Sequence, residues 1–85
     1  MNQDYSKQAQ RYLILIEGGP PSNYSAWSPD VPGCVAVGDT VEECAAQMRE
    51  ALAFHLEGLA KEGEPIPEPT GSGIYISAAP HEARA

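Results

Sequence analysis

The chain has 85 residues, 12 acidic and 5 basic side chains and a formal charge of −7, which allows one domain and no more. A domain this small buries roughly 60% of the surface its unfolded chain exposes, so support from disulfides, a metal or self-association is expected. The charge repels nucleic-acid phosphates and attracts basic proteins, which argues against direct DNA or RNA binding and leaves a basic protein partner open.

Residues 1–10 form a polar leader. The run Tyr12-Leu13-Ile14-Leu15-Ile16 is the most apolar in the chain, and its shortness and flanking Glu17-Gly18-Gly19-Pro20-Pro21 predict a strand. Both faces of that strand are apolar, so a helix is expected over one and a borrowed cover over the other. Residues 18–23 are turn material, and Tyr24-Ser25-Ala26-Trp27-Ser28 alternates as the second arm of a hairpin. Pro29 and Pro32 then break regular structure, and Cys34-Val35-Ala36-Val37 predicts a third strand.

The helix has the clearest signals. Thr40-Val41-Glu42-Glu43 reads as a capping box, in which the Thr40 hydroxyl accepts from the Glu43 amide and Glu43 reaches back to Thr40. Val41, Cys44, Ala45, Met48, Ala51, Leu52, Leu56 and Leu59 follow at steps of three and four, one apolar stripe. Glu57 and Lys61 pair across one turn in the favourable order, and Gly63 with Pro65 ends the helix. Residues 41–62 would make a rod about 33 Å long. The three prolines at 65, 67 and 69 force an extended path, Ile74-Tyr75-Ile76 is a brief fourth strand, and residues 77–85 are a loose tail. The expected fold class is α+β, in the order β-β-β-α-β: a small antiparallel sheet covered by one long helix. Three segments are expected: a leader at 1–10, the domain at 11–76 and the tail at 77–85.

Two cysteines, Cys34 and Cys44, are too few for a disulfide framework and lack C-x-x-C spacing. Neither they nor His55 and His81 form a metal-ligand pattern. With no signal-peptide pattern in the leader and no run of roughly 18 apolar residues, the expectation is a cytoplasmic protein with reduced thiols. No membrane association, metal or cofactor is expected, and self-association remains the expected support.

Catalysis requires a nucleophile with a base, a carboxylate pair or a metal. His55 flanks the apolar stripe and reads as a boundary residue. Ser22, Ser25 and Ser28 lack a nucleophile-elbow context, and Gly71-Ser72-Gly73 lacks the helix and lysine of a phosphate loop. Glu17, Asp30 and Asp39 fall at strand ends, where a Mg²⁺-dependent nuclease would gather carboxylates, but turn acids belong there too. No catalytic centre is expected and the chain is read as a non-enzyme. Trp27, beside Pro29 and Pro32, has the character of a binding hot spot, or else caps the core. The proline run could dock in a partner groove or simply tether the last strand.

These residues also carry a family resemblance. Tyr12-Leu13-Ile14-Leu15-Ile16-Glu17, then Val31-Pro32-Gly33-Cys34, then Gly38-Asp39-Thr40-Val41-Glu42-Glu43, then Gly63-Glu64-Pro65-Ile66-Pro67-Glu68-Pro69 resembles the HicB-like antitoxins. In that family a strand is followed by an aliphatic-P-G-C segment, a G-D-T-x-E-E helix start and a helix ending in G-E-P-I-P-E-P. The match spans about residues 11–76. It implies a partial ribonuclease H-like fold without nuclease activity, and binding to a small basic HicA-type toxin that cleaves mRNA and whose active site the antitoxin covers. Family members often carry a C-terminal helix-turn-helix or ribbon-helix-helix domain. Nine residues follow Ile76, too few for either, so no direct DNA binding is expected of this chain.

On this reading Trp27, Asp30, Pro32, Glu64 and Ile66 are the candidate partner-binding residues. The alternative is a stand-alone oligomeric HicB-like module, a homodimer or tetramer, serving another protein-interaction role.

Overall fold

A computed structural model describes residues 10–81; the leader, Gln10 apart, and the last four residues of the tail lie outside the described residues. Four elements follow in chain order: β1 (Leu15–Gly18), β2 (Tyr24–Trp27), β3 (Val35–Gly38) and α1 (Val41–Lys61). The strands form an antiparallel sheet in the order β1-β2-β3, an α+β arrangement of one sheet and one helix.

The strand bounds follow from pairing. The apolar run begins at Tyr12, but the β1 ladder starts only at Leu15, opposite Trp27. Beyond Trp27 the partner strand gives way to Ser28 and Pro29, so residues 12–14 have nothing to pair with. At the other end the ladder extends to Gly18 opposite Tyr24. The hairpin turn closes there with the Gly19 amide donating to the Asn23 carbonyl at 3.2 Å and the Ser22 amide to Gly19 at 2.9 Å.

Alternation along the strands assigns the two faces. Ile16, Ala26 and Ala36 stand in register on the inner face, as do Gly18, Tyr24 and Gly38. The core there is Ala26, Val31, Cys34, Cys44 and Met48, with Tyr12, Ile14, Ile16, Ala51 and Leu52 packed around it. Small side chains on β2 and β3 let the helix approach closely, and the helix lies mainly over β3, scarcely touching β1. The Cys44 thiol points at the Ala36 carbonyl at 3.9 Å. Both cysteines are buried and unpaired, and burial raises the Cys34 thiol pKa, so both behave as small hydrophobes.

The helix ends are set by local chemistry. The Thr40 hydroxyl accepts from the Glu43 amide at 3.0 Å. The Glu43 carboxylate closes the box one residue earlier than expected, accepting from the Asp39 amide at 2.8 Å rather than from Thr40. At the other end Gly63, at φ +71°, donates to Ala60 while Glu64 donates to Leu59. This double closure needs a left-handed residue, which glycine supplies. Glu57 and Lys61 form the expected exposed pair at 3.8 Å.

One expected element is absent. Residues 74–76 join no ladder, and Ile74, Tyr75 and Ile76 are 81%, 105% and 75% exposed. The preceding segment is tied down by side chains at one end of the sheet rather than by backbone pairing. Among the described residues no backbone hydrogen bond joins it to a strand.

Candidate partner-binding surface

Among the described residues no second layer of secondary structure covers the outer face of the sheet. Leu15, Trp27 and Val35 stand in register across it, with Glu17, Ser25 and Val37 in the next row. Trp27 is 38%, Val35 65% and Val37 56% exposed. An aromatic and two β-branched residues side by side on an open sheet form an apolar stripe, the kind of patch that marks an interaction surface. Trp27 thus lies opposite the helix and does not cap the helix–sheet core.

The other candidate residues lie on two chain segments that Asp30 joins. Asp30 Oδ2 accepts from the amides of Thr70 at 3.1 Å and Gly71 at 2.9 Å, and Oδ1 accepts from the Thr70 hydroxyl at 2.9 Å. Three donors fix the loop that carries Pro32 to the segment that carries Ile66. The Tyr12 hydroxyl adds a second tie, donating to the Pro67 carbonyl at 2.6 Å. Burial raises the pKa of this phenol, with Glu68 and Asp30 adding to the effect. Pro32 and Glu64 are exposed, and Ile66 is 38% exposed. No hydrogen bond or ion pair joins Trp27, Pro32, Glu64 and Ile66 to one another among the described residues. The structure therefore links Asp30 to the proline segment and leaves Trp27 on the sheet face.

The Asp30 tie is pH-sensitive. The Gly71 amide and then the Thr70 hydroxyl hold the Asp30 carboxyl below its ordinary pKa, against an opposing effect of desolvation that outweighs the further lowering by the Thr70 amide. A carboxyl lowered in this way contributes its tie at neutral pH and loses it as the pH falls through the folded-state value. The Gly71 amide proton should therefore shift toward its free-chain position with an inflection below the ordinary carboxylate range. In Asp30→Ala it should sit near that position at every pH. An unchanged shift in the variant would remove the tie from the account.

Charge is one-sided among the described residues. The single ion pair among the described residues is Glu57–Lys61, which leaves Asp39, Glu42, Glu50, Glu62, Glu64 and Glu68 without a cationic partner among those residues. No group of three His, Cys, Asp or Glu side chains there could share a metal ion, and Glu17, Asp30 and Asp39 do not form one. No helix among the described residues is long and apolar enough to cross a membrane.

Sequence reasoning missed three features. Val35 and Val37 became surface residues only once the register was known. Phe54, 78% exposed on the helix, lies off the apolar stripe, and an aromatic residue outside that stripe was the available signal. The tie from Asp30 to Thr70 spans 40 residues, and no local pattern encodes it.

Comparison with known proteins places this arrangement. Residues 12–82 match the family profile described as HicB_like antitoxin of bacterial toxin-antitoxin system. An uncharacterized 14.9 kDa protein from the rep-hol intergenic region of Haemophilus phage HP1 is 41% identical over 78% of this chain, which spans only 49% of that protein's length. A UPF0150 protein of Synechocystis is 36% identical over 73% of this chain and 78% of its own. Another, of Thermoplasma acidophilum, is 29% identical over 80% and 99%. Among solved structures, a chain of a HicA3 and HicB3 toxin-antitoxin complex superposes with a TM-score of 0.61 at 33% identity, covering 72% of this chain and 70% of that one. With the profile spanning most of the sequence and the three-strand, one-helix arrangement in place, the chain belongs to the HicB-like antitoxin family of bacterial toxin-antitoxin systems.

Proposed function

We propose that the chain is a protein-binding antitoxin that neutralises a small basic HicA-type ribonuclease by covering its active site, with no chemistry of its own. The observation that carries this reading is the likeness to a chain of a toxin-antitoxin complex. The unpaired carboxylates supply what a basic toxin would seek: like-signed acids raise the encounter rate with a basic partner and disfavour nucleic acid. The apolar stripe around Trp27 and the exposed Pro32 and Ile66 offer apolar anchors that a partner would desolvate. The acids contribute through the net charge of the chain, Glu42 and Glu50 lying on the helix across the sheet from Trp27.

The experiment is co-expression and co-purification with each small basic reading frame adjacent to the gene. A complex that relieves growth arrest is the expected result. Trp27→Ala should weaken it about 10–100-fold, or about 1.4–2.8 kcal/mol, while the circular dichroism spectrum stays that of the parent. Rising salt should weaken the parent complex through its association rate. If no adjacent frame binds and none arrests growth, the toxin reading fails.

The second reading is a stand-alone homo-oligomeric module. The apolar stripe of half-buried Leu15 with exposed Trp27 and Val35 favours it, because a sheet face left open by the described residues gains stability from any second layer.

A further inference from the structure

Beside β1 lies an apolar groove lined by Ile14 and Ile16 on the strand and by Ala45, Met48 and Leu52 on the helix, with Arg49 at its rim. It exists because the helix sits over β3 and β2 and leaves the β1 side of the inner face half covered. The same side is a sheet edge: β1 pairs only with β2, so its outward-facing amides and carbonyls have no backbone partner among the described residues. An open edge next to an apolar groove is a template for one more strand.

The chain carries a segment suited to that template. Ile74-Tyr75-Ile76 alternates so that two isoleucines share one face, and all three side chains stand in solvent. The segment is delivered to the end of β1 by its own tethers. Asp30 holds Thr70 and Gly71, and Gly71 and Gly73 lie against the Leu13 side chain. Beyond Gly73 the chain leaves the molecule, although the groove that could receive the isoleucines is open in the same copy.

We propose that residues 74–76 are an exchange strand, adding to the β1 edge of a second copy of this chain while that copy's strand adds to the first. Ile74 and Ile76 enter the partner groove between Ile16 and Met48, and Tyr75 lies on the outer face beside Leu15. Reciprocal use of one identical element is a low-cost route to a closed dimer, and strand addition supplies backbone hydrogen bonds as well as side-chain burial. The area is adequate. Three exposed side chains per arm and the groove walls they cover, counted twice, amount to on the order of 1,500 Å², the size of a stable interface. This deepens the self-association reading, fills in the fourth strand that the sequence predicts, and leaves the Trp27 stripe free for a different partner.

The test uses this chain alone, so its outcome is independent of any toxin. Sedimentation at micromolar concentration should give about twice the 9.1 kDa of one chain. Ile74→Asp/Ile76→Asp should be a monomer with an unchanged helical spectrum, since these side chains are exposed in the single chain. Ala45→Arg, which fills the groove, should also be monomeric, and its melting curve reports whether it folds. Mixing the two variants should restore a dimer, because one supplies an intact strand and the other an open groove. A monomeric parent overturns the proposal, wherever its strand lies. So does a dimer that survives Ile74→Asp/Ile76→Asp, which would point to the Trp27 stripe instead.

Discussion

Met48→Ala is expected to lower the unfolding free energy by about 3 kcal/mol, within the range of about 2–5 for such truncations. Met48 is 1% exposed and is the largest fully buried side chain of the core. It contacts the sheet from the middle of the helix stripe and also lines the groove beside β1. One wall of that groove is open, so part of the vacated space is filled by solvent or by movement of Leu52, which argues against the top of the range. A domain of this length holds roughly 4–13 kcal/mol in total, so the loss is a substantial share of it. The melting temperature should fall by roughly 12–24 °C. The measurement is thermal circular dichroism at one fixed protein concentration, because self-association would add its own stability. Met48→Leu, which nearly conserves volume, should lose less than about 1.5 kcal/mol. If Met48→Ala loses no more than Met48→Leu, the helix is not anchored through this side chain.

What could be read in advance was local. Thr40, Glu43 and Gly63 announce the helix ends because capping involves residues within a few positions of one another, and only the Glu43 partner was displaced by one residue. The apolar stripe marks Cys44 and Met48 as core for the same reason, since a helix period is a property of one segment. The existence of the three ladder strands was equally legible, though residues 74–76 also read as a strand and join no ladder. Strand bounds were not legible, because β1 starts where β2 can meet it, and that is decided by a second segment. Val31 shows the limit from another side. It is 1% exposed and part of the core, yet it sits between Asp30 and Pro32 in a stretch whose prolines and glycine read as surface loop. The Ser28 carbonyl accepts from the Val31 amide at 3.3 Å in a turn, and the Val31 side chain joins Ala26, Cys34, Cys44 and Met48 in the core.

The candidate surface divides along the same line. Net charge belongs to the whole chain, so the expectation of a basic partner needed no fold. Trp27 was noticed for its residue type, but its placement beside Val35 on the open face depends on cross-strand register. Asp30 was picked as a surface acid, and its engagement with Thr70 and Gly71 depends on the chain returning after a 21-residue helix. The unpaired Ile74-Tyr75-Ile76 segment is the most informative departure. Its composition is that of a strand, and a strand needs an edge that its own copy leaves unfilled.

Gly38→Ala is expected to destabilise by about 2–3 kcal/mol, for a reason that involves no unusual backbone conformation. A Cβ at Gly38 would lie 2.5 Å from the Cys44 nitrogen, 2.8 Å from the Cys44 Cα and 3.0 Å from the Glu43 carbonyl carbon. All three are backbone atoms of the first helical turn, so no side chain can rotate away to make room. The helix start must retreat from β3, drawing Cys44 out of the core and disturbing the Thr40 cap. A helix displaced in that direction also changes the width of the groove beside β1, so the same substitution should alter self-association. Gly58 provides the control. It lies within the helix with nothing within 4 Å of its Cβ position, and alanine there should stabilise by about 0.8–1 kcal/mol. Chemical denaturation of the two variants separates the effects, since both make the same covalent change. Equal shifts of the same sign would mean that the approach of helix to sheet at Gly38 is looser than the structure describes.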